Sequence, residues 1–190
     1  MTVILYNNIH KMKIALFTPY AAPEPTGGVK IQGLMWKDGL EKIGDTVDLI
    51  NFWDNIDWKS YDAVVSLGYG GSFRVLSKSL TDSCKKLALA PIIDPTWNKS
   101  VYKFIAKYWG SQKYLGLSSR FHDLYLGSRY YDVFLVRSEF ERNYVNKCLD
   151  IPLDKIKIVP LSIRTPFIDY FPEKENFCFH SSRLAAKNKM

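Results

Sequence analysis

A chain of 190 residues holds one sizeable domain, or one domain and a piece of another. Apolar residues at 47% and charged residues at 24% exclude a disordered, collagen-like or coiled-coil chain. The net charge of +7 favours anionic partners: phosphates, acidic lipid or nucleic acid.

The longest clean apolar run, residues 87–93, has strand length and falls far short of the roughly 20 residues that span a bilayer. Cys84, Cys148 and Cys178 are widely spaced and form neither a CxxC pair nor a zinc spacing, so they read as free thiols of a reducing compartment. Residues 2–11 lack the charged start and apolar core of a secretory leader. A cytoplasmic chain with no metal and no cofactor is expected.

In chain order, residues 1–12 form an extension, and Ile14-Ala15-Leu16-Phe17 a buried strand. Residues 18–28, with three prolines and Gly27-Gly28, form a loop. A helix over 29–43 follows, with Gly33, Trp36, Leu40 and Ile43 on one face and Gly44 as its stop. Strands are expected at 46–51 and 63–67, then a turn bearing Gly68, Gly70 and Gly71, a helix to about 83, and a strand at 87–93. Residues 97–131 read as helical, with breaks near Gly110 and Gly116. A strand at 133–136, a helix at 138–149 and a strand at 156–161 complete the pattern. Ser138 and Glu141 have the capping-box spacing. Short apolar strands alternating with helices predict an α/β, Rossmann-like parallel sheet with helices on both faces. The domain covers residues 13–163. Residues 164–190 read as a proline-bearing linker and the opening of a second domain, with a strand at 177–180.

Ligands of open parallel sheets bind beyond the carboxyl ends of the strands. Gly27-Gly28 and Gly70-Gly71 fall there. Such glycines let backbone N–H groups approach a phosphate at a helix N-terminus, or simply permit a tight turn. Neither GxGxxG nor GxxxxGK[ST] is present, which argues against a dinucleotide site or a P-loop. Asp94, after the fourth strand, is a candidate acid, base or hydroxyl binder, or a cap for the next helix. His122 reads as structural.

Between 97 and 130, Lys99, Lys103, Lys107, Lys113, Arg120 and Arg129 stand against Asp123 alone, so this stretch carries five of the net seven charges. Val101, Phe104, Ile105, Tyr108 and Trp109 have helical spacing beside the lysine row. Lys99, Lys103, Lys107 and Trp109 therefore suit an anionic membrane surface. The alternatives are a nucleic-acid groove, or a helix whose apolar face is core.

Lys13-Ile14-Ala15-Leu16-Phe17-Thr18-Pro19-Tyr20 followed by Thr26-Gly27-Gly28-Val29 resembles the first strand and glycine loop of family 4 (group 1) retaining glycosyltransferases. Val136-Arg137-Ser138-Glu139-Phe140 and Lys155-Ile156-Lys157-Ile158-Val159-Pro160-Leu161 resemble the end of that family's N-terminal domain. Phe179-His180-Ser181-Ser182-Arg183-Leu184 resembles the start of its C-terminal domain. The resemblance implies the N-terminal, acceptor-side half of a GT-B fold and transfer of a sugar from a nucleotide-diphosphate donor to a glycan or lipid-linked acceptor. It implies that surface polysaccharide is the product, that the cytoplasmic membrane face is the working place, and that the 190 residues alone turn over poorly. It places Gly27 and Gly28 near the donor phosphates. Arg183, with Lys187 or Lys189, neutralises the diphosphate. Asp94 stands where the family often has histidine. The rival readings are a flavodoxin-like binding module and a basic membrane- or nucleic-acid-binding protein; nucleic acid is not the expected partner.

Overall fold

The structure, a computed structural model, describes residues 11–18, 28–50, 54–70, 73–93, 98–112 and 117–161; the side chains of Trp109 and of 111–118 are outside the description. Six parallel strands form the main sheet: β1 (Lys13–Phe17), β2 (Thr46–Ile50), β3 (Ala63–Leu67), β4 (Leu87–Ala90), β7 (Val133–Val136) and β8 (Ile156–Ile158). A small antiparallel hairpin, β5 (Ser111–Gln112) and β6 (Leu117–Ser118), stands apart. The main sheet has the order β2-β1-β3-β4-β7-β8, so its direction of winding reverses between β1 and β3. That is the Rossmann-like α/β fold the alternation predicts.

Side chains alternate along each strand and build two cores. Ala15, Phe17, Val64, Leu87, Leu89, Phe134, Val136 and Ile156 face one side. There α2 (Phe73–Thr81), α3 (Lys99–Phe104), α4 (Arg120–Gly127) and α5 (Glu139–Leu149) cover them. Ile14, Leu16, Val47, Val65, Leu67 and Ala90 face the other side, where α1 (Gly28–Lys42) contributes Val29, Trp36 and Leu40. A β carbon on Gly33 would lie 2.9 Å from Leu67 Cδ1, so glycine there lets α1 settle onto β3. Gly44, at φ +104°, ends α1 as expected, while Ile43 falls past the helix and is exposed.

The amino ends of the strands are fastened by aspartates. Asp45, Asp62 and Asp132 each sit one residue before a strand and accept an amide N–H from the start of the neighbouring strand. Met12 N donates to Asp45 (3.0 Å), Lys13 N to Asp62 (2.9 Å) and Leu87 N to Asp132 (2.9 Å). These bonds satisfy donors that the ladders leave over and fix where each strand begins.

The segment at 97–131 departs from expectation. It is not helical throughout: α3 runs into a π-helical turn at Ile105–Trp109, and the hairpin β5–β6 precedes α4. The alternative in which the apolar row is core does not hold. Tyr102 and Ala106 are buried, while Val101, Phe104 and Tyr108 are 49%, 51% and 67% exposed. Tyr102 packs edge-on against Phe121 (4.5 Å between ring centres) and Tyr144 (5.1 Å), a fit that outweighs the aliphatic pattern.

Burial pushes the Cys84 and Cys148 thiols from 9.0 up to about 11. Burial likewise raises the Tyr131 and Tyr144 hydroxyls from 10.0 to about 12, and burial with the bonded Asp48 carboxylate does the same for Tyr61. Between the ordinary and the raised values the unfolded chain holds fewer protons than the folded one. Stability is therefore full below about pH 9 and falls as pH rises toward 12. Melting temperatures between pH 7 and pH 11 are expected to stay flat and then drop above pH 9. At pH 8 Cys148 is expected to react with a disulfide reagent at least ~100-fold more slowly than a free thiol.

Candidate functional site

With the amino rim fastened, the opposite rim carries the turns. Those following β1, β2, β3 and β4 include residues 19–27, 51–53, 71–72 and 94–97, which lie outside the described residues. Of the sequence-predicted site, Gly27, Gly71, Asp94, Arg183 and Lys187 (with its alternative Lys189) therefore lie outside. Gly28 is the exposed first residue of α1, and open space surrounds the position a β carbon would take. Gly70 is buried after β3. Gly68, at φ +83°, makes the turn out of β3 and donates its N–H to Ala90 O at 2.7 Å. Gly28 and Gly70 thus follow β1 and β3, the two strands that flank the winding reversal.

One turn into α1, Gln32 is 5% exposed and its Nε2 makes no hydrogen bond among the described residues. Buried amide donors are rarely left so, because an unmade bond costs about 1–3 kcal/mol. A glutamine in a helix gives no sequence signal for this.

The exit of β4 is clasped. Ile92 stands at φ +50°, a left-handed conformation that β-branched residues almost never take. Ile93 N donates to Glu141 Oε1 at 2.8 Å, and Arg137 N donates to Oε2 at 2.7 Å. The Arg137 guanidinium lies on the same carboxylate, Nε to Oε2 at 3.2 Å, and its Nη2 also donates to Ile93 O at 3.1 Å. Glu141 is 2% exposed. Ser138 does cap α5, accepting from Glu141 N at 3.3 Å. The Glu141 carboxylate does not close the reciprocal half of a capping box on Ser138. It crosses to β4 and fixes the chain just before Asp94. The buried Glu141 carboxylate, with the half-buried Arg137 on it, thus holds a strained residue in place at this rim.

An aromatic chain runs from the same rim. Tyr69, beside Gly68, meets Phe121 (6.2 Å), which meets Tyr102, then Tyr144, then Phe140 at 6.5 Å. Phe140 is 59% exposed, and Lys99 Nζ stands 5.6 Å from its ring centre. A second exposed group lies further along the segment, where Val101 is exposed and the Phe104 and Tyr108 rings stand 5.7 Å apart. Lys107 lies over the Tyr108 ring at 5.4 Å, and Lys103 pairs with Asp150, the left-handed residue that ends α5. Of the four predicted membrane residues, Lys99 and Lys107 each stand beside an exposed aromatic ring, and Lys103 is held by Asp150. The side chain of the fourth, Trp109, is not described.

His122 is structural in its contacts: Nδ1 stands 2.6 Å from Ala106 O, so that nitrogen carries the proton and donates to a carbonyl of the π turn. Among the described residues no group of three His, Cys, Asp or Glu is placed to hold a metal ion. Among them, too, no helix is long and apolar enough to cross a membrane. No family model, curated protein or solved structure matches this chain, so the rim, the clasp and the exposed aromatics must be interpreted from their own chemistry.

Proposed function

We propose that this chain is the acceptor-side lobe of a GT-B glycosyltransferase that works at an anionic membrane face. It binds a glycan or lipid-linked acceptor at the carboxyl rim, and a nucleotide-sugar-binding lobe completes the enzyme. The observation that carries this reading is the division of labour between the two rims. Aspartates tie down one, while glycine-bearing turns after β1 and β3, the buried Gln32 donor and the clasped exit of β4 converge on the other. In doubly wound sheets that reversal point is where ligands sit. The α1 N-terminus adds partial positive charge for a phosphate. Asp94 is the rim's candidate acid or base, and Arg183 with Lys187 is assigned to the donor diphosphate.

The basic aromatic segment brings the acceptor to the rim. Phe104 and Tyr108 enter the headgroup layer while Lys99 and Lys107 meet acidic lipid. Each lysine near such a surface contributes about 1 kcal/mol, so Lys99→Gln with Lys107→Gln is expected to weaken partition onto phosphatidylglycerol vesicles about 30-fold. Phosphatidylcholine vesicles should bind neither form. Equal binding of the double variant and the parent would remove the membrane from the proposal.

The rim is tested by amide shift mapping with a short-chain polyprenyl-diphosphate monosaccharide. Movements are expected at residues 28–30, 68–70, 91–93 and at the Gln32 side-chain NH2. Movements confined to the amino rim, or none at all, overturn the reading. The strand order is also the flavodoxin-like one, extended by a strand, and this favours a second reading as a flavin-binding module. Quenching of flavin mononucleotide fluorescence at micromolar concentration would establish that rival.

A further inference from the structure

Helices α3 and α5 pack against each other, and two depressions follow the seam between them. The first has a volume of about 420 Å3. Among the described residues Asn98, Lys99, Ser100, Phe140, Tyr144 and Lys147 line it. The second lies further along, beside Lys103, Asn146 and Asp150, and Lys147 borders both. The two differ in charge balance. Lys103 pairs with Asp150, so the second depression carries its own counter-charge. In the first, none of the described lining residues is a carboxylate. Neither Lys99 nor Lys147 forms an ion pair with a described residue. Lys99 Nζ stands instead 5.6 Å from the centre of the exposed Phe140 ring, a contact that places the ammonium before any ligand arrives.

We infer that the first depression binds the phosphate group of a phosphate monoester, with Lys99 and Lys147 on its charge and Asn98 and Ser100 as neutral donors. The polar groups there are donors. Asn98 uses its Oδ1 to accept from Ser100 N at 2.9 Å, which leaves its NH2 group to donate. The Ser100 hydroxyl and the two ammoniums add to it. Backbone amides of α3 take no part, because Ser100 N and Tyr102 N both donate to Asn98. The site therefore rests on side chains and not on a helix end. Donors without a free acceptor select an oxyanion. Two ammoniums match a phosphate monoester, which carries about −1.5 to −2 at neutral pH, better than the single charge of a carboxylate. The exposed Phe140 ring gives the esterified alcohol an apolar face. The volume falls within the range of small-ligand sites, about 300–1,000 Å3. A soluble ester and a lipid headgroup both offer this chemistry. The site does not depend on what the carboxyl rim binds.

The test titrates the isotope-labelled full chain with glycerol phosphate at constant ionic strength, and measures partition onto phosphatidic acid vesicles, which carry the same headgroup. Saturable shifts are expected at the amides of residues 98–100 and 147 and at the Asn98 NH2 group. Lys99→Gln and Lys147→Gln should each weaken binding about tenfold, as the loss of one charge-assisted hydrogen bond does. Lys107→Gln, outside the depression, should change it by less than about twofold. Should Lys99→Gln disturb the fold through its contact with Phe140, Lys147→Gln, on an exposed side chain, carries the comparison. Saturation by glycerol phosphate identifies a soluble ester. Vesicle partition that weakens with Lys147→Gln, without a response to glycerol phosphate, identifies a lipid headgroup. Either supports the site. Shifts that acetate reproduces, that never saturate or that survive Lys147→Gln overturn it. Vesicle partition that depends on Lys107 but not on Lys147, with no response to the ester, also overturns the site and spares the membrane reading.

Discussion

Glu141→Ala is expected to lower the free energy of unfolding by about 3–5 kcal/mol, read from urea denaturation midpoints at constant slope. The carboxylate accepts Ile93 N on one oxygen and Arg137 N on the other, and it carries the Arg137 guanidinium as well. Truncation orphans two backbone donors in a place from which water is excluded, each worth about 1–3 kcal/mol. The guanidinium, whose side chain is 24% exposed, regains solvent and offsets little of that. Glu141→Gln is the discriminating companion. An amide has one oxygen, so one of the two N–H groups would face an NH2 group. The expected loss is about 2–3 kcal/mol despite the matched shape. If both variants unfold at the parent's midpoint, the carboxylate is not what holds the exit of β4.

Gly110→Ala is the second large effect, a loss of about 3 kcal/mol at the upper end of ordinary overpacking. A β carbon at this position would stand 2.1 Å from His122 Cβ and 2.9 Å from Ser119 Oγ. Neither neighbour gives way easily. His122 is held by its bond to Ala106 O, and Ser119 caps α4 by accepting from His122 N. The substitution would push α4 off the π turn. Because that turn carries Tyr108, vesicle partition is expected to weaken together with the thermal midpoint. The exposed-face variant Tyr108→Ser should reduce partition while leaving the melting temperature within ~1 °C, which separates docking from folding.

The main sheet was legible because its strands are short apolar runs flanked by turn residues, and α5 because Ser138 stands before an amphipathic stretch. The hairpin at 111–118 was not legible. Two-residue strands carry no periodicity, and the glycines around them read equally well as helix breaks. Which face of α3 enters the core was left open by the sequence, because apolar count favours Val101, Phe104 and Tyr108. Burial went instead to Tyr102, whose ring fits between Phe121 and Tyr144, and to Ala106, small enough for α4 to approach. Glu141 was visible as a helix-start residue, but spacing within one helix cannot reveal a bond to a chain 48 positions away. The aspartate fastenings did leave a trace: Gly44-Asp45-Thr46-Val47, Tyr61-Asp62-Ala63-Val64 and Tyr131-Asp132-Val133-Phe134 each put the acid immediately ahead of a strand. Their carboxylates reach across to the adjoining strand, a connection that only the sheet order makes possible.

Those three fastenings divide the molecule into a pole that tolerates grafting and a pole that does not. Lengthening a turn after β1 or β3 leaves every starting amide anchored, so foreign loops transplanted there should inherit a finished scaffold. A single residue inserted between Asp132 and Val133 would move the carboxylate away from Leu87 and set β7 out of step with β4. Related chains with new ligands would be expected to diverge at the first pole and to keep their length at the second.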